Sequence, residues 1–165
     1  MKEVVFTFVE ALPAWFQVLL VAAVPIVEFR GAIPFALEVH GFSVLEAIIL
    51  TTIGNMLPFI PLYFGLASLR RLLAKYMPRL VAPLDAFIKR ADHKLRDHFE
   101  RYGALALLLF VAIPLPLTGV WTATVGAVSL KIPVKHAGLA LTGGVIIGSI
   151  IVALITKGAL AIINE

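Results

Sequence analysis

Cysteine is absent from the 165-residue chain, which excludes disulfides, thiolate metal sites and cysteine nucleophiles. Charge is scarce: Asp, Glu, Lys and Arg make up 15% of residues, against roughly 25% in soluble domains. The HExxH and GxSxG signatures are missing, and His40, His93, His98 and His136 are scattered through turns and helix edges rather than grouped with acids. No enzyme activity, metal or cofactor is therefore expected. What fills the chain instead is apolar: 61% of residues are hydrophobic and mean hydropathy is +1.01, far above the roughly 45–50% of soluble domains. Such a composition describes an integral membrane protein, and the length suits one domain.

The few charges are unevenly placed. Nine of the fourteen Lys and Arg residues fall between Arg70 and Arg101, which by the positive-inside rule sets this central segment on the cytoplasmic side of the cell membrane, against anionic lipid headgroups. Nucleic acid is not the expected partner, because the run has little aromatic interleaving and is bounded by membrane segments. The apolar N-terminus imitates a signal peptide, but Glu10, Pro13 and Glu28 argue for its retention.

The costliest residues to place are Glu28 and Arg30, in Val24-Pro25-Ile26-Val27-Glu28-Phe29-Arg30-Gly31-Ala32-Ile33-Pro34. An acid and a base at hydrocarbon depth each cost several kcal/mol unless paired or wetted. Two apart, they point to different sides of a regular helix, so a mutual pair requires the irregular backbone that Pro25, Gly31 and Pro34 suggest. Either they are a pair holding the structure in place, or Glu28 carries a proton and Arg30 a phosphate or carboxylate. Burial and Arg30 pull the proton affinity of Glu28 in opposite ways, and the planar fork of Arg30 suits an oxyanion.

Around this stretch, Val4–Leu12 is a short apolar piece. Ala14–Val24 is another, rising about 16 Å, half of a ~30 Å hydrocarbon core. With Ala32–Val39 it describes either a re-entrant hairpin or one kinked span. Ser43-Val44-Leu45-Glu46 is a capping box opening a long helix to about Ser68. Its middle carries Thr51, Thr52, Gly54 and Asn55; Asn55 is either interhelical glue or part of a cavity wall. Residues 84–102 form an amphipathic helix with an apolar stripe at Leu84, Phe87, Ile88, Ala91, Leu95 and Phe99, expected on the membrane surface. Gly103–Leu130 is a second apolar run, broken by Ile113-Pro114-Leu115-Pro116-Leu117-Thr118-Gly119-Val120-Trp121-Thr122, and His136–Ile163 is a final helix with Gly144 and Gly148 as a close-packing seam.

Shifting the chain by 89 places Pro25 on Pro114 and Gly54 on Gly143, with broken hairpin, turn and long helix in the same order. The expected fold is all-α: repeat 1 over residues 4–68, a cytoplasmic basic linker over 69–102, and repeat 2 over 103–165. With the linker inside, the long helices run in opposite directions, the repeats are inverted and both termini lie outside. That is the layout of secondary transporters. Two hairpins and two long helices enclose little volume, so a small homo-oligomer is expected.

The motif from Val27 to Pro34, together with that from Ile113 to Thr122, resembles the small multidrug export protein family over nearly the whole chain. More distantly the chain is similar to the DedA and SNARE-associated (VTT) superfamily, although Glu28 is the lone acid of the first motif. The nearer resemblance implies export of small molecules. The distant one implies two re-entrant hairpins and movement of lipids or lipid phosphates, some of it proton-coupled. The candidate substrate- and proton-binding residues are Glu28, Arg30, Gly31, Pro34, Asn55, Pro114, Pro116, Thr118, Gly119, Trp121 and Thr122. Among these, Pro114, Pro116 and Gly119 are most simply backbone breakers, and Trp121 reads as a packing residue or interface anchor ahead of substrate stacking. A cationic drug prefers Glu28 and an anionic headgroup prefers Arg30.

Overall fold

A computed structural model describes residues 12–114 and 118–163, and the secondary structure among them is helical. The Val4–Leu12 piece, apart from Leu12, and Pro116 lie outside the described residues. Helix α1 spans Ala14–Ala23, following Pro13, and ends at Val24 because a residue before proline is driven out of the helical region: Val24 has φ −72° and ψ 129°. Helix α2, Glu28–Pro34, passes into a π-helical turn over Phe35–Val39. Helix α3, Val44–Met56, opens on the expected capping box: Ser43 Oγ accepts from the Glu46 amide at 3.3 Å while Glu46 Oε2 accepts from the Ser43 amide at 2.9 Å. A turn at Leu57 and Pro58 leads into α4, Phe59–Tyr76. Together α3 and α4 form one apolar span of 33 residues, about 50 Å long and longer than the expected end at Ser68.

Helix α5, Val81–Tyr102, begins three residues before the expected start at residue 84, because Pro83 is accommodated in its first turn, where no intrahelical N–H is lost. Helix α6 is Ala104–Ala112, α7 is Val120–Ser129 and α8 is Val134–Ile163. The stop of α6 copies that of α1, with Ile113 extended at φ −79° and ψ 116° before Pro114. Only the α3–α4 span and α8 are long and apolar enough, among the described residues, to cross a membrane. Ile26, Leu139, Leu154 and Phe64 are largely exposed, as suits side chains facing lipid.

Hydrocarbon tails solvate leucine as well as a protein core does, so helix association in a membrane rests on close packing, for which small residues let backbones approach. Both long helices use glycine in this way. A Cβ at Gly54 would lie 2.6 Å from the Leu19 carbonyl oxygen and 2.7 Å from Ala22 Cβ; one at Gly144 would lie 2.7 Å from the Leu108 carbonyl oxygen and 2.9 Å from Val111 Cβ. Leu19 and Ala22, moved by 89, are Leu108 and Val111. The structural counterpart of Gly54 is thus Gly144 rather than the expected Gly143, whose Cβ would meet only the Leu108 side chain. The pairing α1 on α3 recurs as α6 on α8, α1 on α2 as α6 on α7, and α2 on α3 as α7 on α8.

The amphipathic helix differs from expectation. Ala91 and Leu95 are fully buried, and Ala91 packs in a cluster with Leu66 of α4 and Val125 of α7, while Gly126 admits the Leu95 side chain. At Ala91 and Leu95 the stripe is covered by protein rather than by membrane, because α7 offers small residues to pack on, while Phe87 stays 38% exposed.

A junction between two hairpin tips as the candidate functional site

Two proline-stopped turns build the site. After α1 the chain turns through Pro25, Ile26 and Val27 and re-enters helix at Glu28, whose φ of 47° lies in the left-handed region that a residue with a Cβ seldom adopts. This strained step is the irregular backbone that a 28/30 pair requires. It falls on Glu28 itself and not on Gly31 or Pro34, which are helical members of α2.

Glu28 and Arg30 are only loosely paired, with Arg30 Nη1 3.4 Å from Glu28 Oε2, a long separation for charge-assisted partners. Their stronger ties reach across the molecule. Arg30 Nη2 donates to the Thr118 carbonyl and, at 3.1 Å, to Thr118 Oγ1. The Thr118 hydroxyl donates in turn to the Ile113 carbonyl at 3.1 Å, bracing its own connection. The Glu28 carboxyl lies directly over Gly119, so a Cβ there would collide with its Cδ and both oxygens. The amides of Val120 and Trp121 are aimed at this carboxylate. They are the first amides of α7, the partly positive end of a helix and a natural seat for an anion. A third tie runs the other way: Trp121 Nε1 donates to the Ala23 carbonyl at 3.1 Å, satisfying one of the carbonyls that every helix leaves orphaned at its C-terminus.

Glu28 is 1% exposed, yet its Oε1 and the Nε of Arg30 have no hydrogen-bond partner among the described residues. The Arg30 guanidinium also stacks 5.1 Å from the Phe29 ring centroid. Phe29 is fully buried and meets α8 where Gly148 has no side chain. The two turns therefore meet, the first contributing the charged pair and the Ala23 carbonyl, the second a carbonyl and hydroxyl from Thr118, the Trp121 indole N–H and helix-end amides.

Of the residues expected from sequence, Glu28, Arg30, Thr118, Gly119 and Trp121 come together here. Pro114 is half-buried and acts through Ile113, fixing the extended stop of α6. Four others stand apart. Gly31 faces Val27, whose Cγ1 a Cβ would strike, and Pro34 precedes the π-helical turn. Asn55 is buried but donates to the Thr51 carbonyl of its own helix at 3.0 Å, with Oδ1 unpartnered. Thr122 is half-buried on α7 and is not among the hydrogen-bond partners of the pair. The Ala23 carbonyl and the amides of Val120 and Trp121 have no side-chain signature and were not legible; the glycine at 119 was their one trace.

Among the described residues no three His, Cys, Asp or Glu side chains are grouped to hold a metal. The family described as putative small multi-drug export protein matches residues 28–151, about three quarters of the chain, with Glu28, Arg30 and residues 118–121 inside the matched range. Neither curated proteins nor solved structures give a match.

Proposed function

Because the chain belongs to this small multidrug export protein family, we propose that it is a membrane transporter for small molecules, working through the junction of Glu28 and Arg30 with residues 118–121. The observation that carries this reading is that Arg30 bonds Thr118, 88 residues away, while the Glu28 carboxyl sits on Gly119. An acid and a base buried at the meeting point of two broken helices are where transporters place cargo and coupling ions. In this reading the two halves are inverted repeats with re-entrant hairpins, the basic segment is cytoplasmic, and both termini face outward. Protonation of Glu28 weakens its hold on the α7 amides and on Arg30, freeing one hairpin from the other. The protein works as a small homo-oligomer, against which a single-chain mass in native membranes would count.

Arg30 Nε, a buried donor without a partner among the described residues, favours a second cargo, a lipid phosphate. The test is translocation in proteoliposomes of a cationic dye and, in parallel, of a labelled lipid phosphate, with and without a pH gradient, for wild type and Glu28→Gln. Gradient-driven dye export lost in Glu28→Gln supports drug export, and the same loss for the lipid phosphate supports the second reading. If neither cargo moves above empty liposomes with folded protein, the pair is structural.

A further inference from the structure

A groove runs along one face of α4, with Pro58, Pro61, Gly65, Ser68 and Leu72 on its floor and Trp121 closing one end, and its volume is about 420 Å³. Pro58 to Leu72 spans about 21 Å at 1.5 Å per residue, which gives the groove a mean cross-section of ~20 Å² and room for one extended alkyl chain rather than two. Its lining is almost wholly apolar, and among the described residues no acidic side chain belongs to it. Gly65 keeps it open, since a Cβ there meets nothing within 4 Å.

The far end is charged. Tyr76, four residues beyond Leu72, is next on the same helical face, and Lys75 Nζ lies 5.1 Å from the centroid of its ring, which holds the ammonium at that end. Arg70, at the opposite edge of α4, is already committed: its Nε and Nη2 donate to Asp85 at 2.7 and 2.8 Å. Those hydrogen bonds hold the Asp85 carboxyl below the usual carboxylate range and occupy the nearby acid. Of the basic residues towards this end, Lys75 is the one held against the ring on the groove face, beside a phenol able to donate as well.

We infer that this groove binds an anionic single-chain amphiphile, its alkyl chain along α4 towards Trp121 and its carboxylate or phosphate head at Lys75 and Tyr76. A chain of the same length with a cationic head fills the same volume but meets the wrong charge. The inference concerns binding alone and holds whether or not the hairpin junction transports.

Tryptophan fluorescence tests it. In the full chain carrying Trp15→Phe, Trp121 is the only tryptophan, and it lies at the chain end of the groove. Dibromostearate is titrated into the purified protein in neutral detergent, with a brominated alkyl trimethylammonium of equal length as comparison. The expected result is saturable quenching by the fatty acid at a concentration at least fivefold lower than for the cation. Lys75→Gln should remove most of that preference, and Gly65→Leu, or separately Ser68→Leu, should abolish saturation in protein that remains helical and monodisperse. Equal quenching by anion and cation, or saturation unchanged in both groove-filling variants, would overturn it.

Discussion

The two halves of the molecule share a frame and differ in what they carry. Each has a short helix stopped by a residue before proline, a turn, a second short helix and a long helix approached closely at a glycine. At the tips the likeness ends. The positions 89 residues beyond Glu28 and Arg30 are Leu117 and Gly119, so the second half answers an acid and a base with a carbonyl, a hydroxyl and helix-end amides. The long helices differ too: α3–α4 turns at Leu57 and Pro58, whereas α8 runs unbroken through the corresponding Ile146 and Ile147. A shared frame thus needs common stops and common glycines, while the ionisable chemistry resides in one half and is held by the other.

Breaking the charged side of this asymmetry should have the largest effect. Arg30→Ala leaves Glu28 buried without its cation and should destabilise the protein by about 3–5 kcal/mol, read from denaturant unfolding in detergent. Adding Glu28→Gln should recover a large part, because no unpaired charge then remains. The shared frame should respond evenly: Gly54→Ala and Gly144→Ala each force a Cβ against a backbone oxygen and should each cost about 1–3 kcal/mol, with Gly65→Ala as the open-space control. A large loss at only one of the two glycines would break the correspondence between halves. The smallest effect is at the helix starts, where α3 uses the Ser43 capping box and α8 begins after Pro133. Ser43→Ala should cost about 1 kcal/mol and increase amide exchange at the start of α3 while leaving α8 unchanged.

Much of the frame was legible because it rests on local rules. Val24-Pro25 and Ile113-Pro114 announce helix stops, Ser43 and Glu46 announce a start, and apolar runs of half length announce pieces too short to cross a membrane. Glu28 and Arg30 stood out because their charge is costly in such surroundings. What sequence did not yield depends on three-dimensional neighbours. The stripe of α5 reads as facing the membrane surface, and only the small residues of α7 turn Ala91 and Leu95 to protein instead. Asn55 reads either as interhelical glue or as part of a cavity wall, yet it turns back to its own helix. The correspondence of Gly54 with Gly144 is hidden because the helix contact slips by one residue relative to the shift of 89. The partners of Glu28 and Arg30 are largely main-chain groups, which no residue type advertises.

The seating of Glu28 on Gly119 is the contact on which the junction turns, and a size-switch cycle tests it most directly. Stability and gradient-driven cargo movement are measured for Gly119→Ala, Glu28→Asp and the double variant. Gly119→Ala puts a methyl group where the carboxyl lies, and Glu28→Asp withdraws the carboxyl by one methylene. The account predicts that Gly119→Ala alone disables the protein and that Glu28→Asp partly rescues it, with a coupling energy of at least ~1 kcal/mol. Effects that add within ~0.5 kcal/mol, or a Gly119→Ala protein as stable and active as wild type, would contradict it.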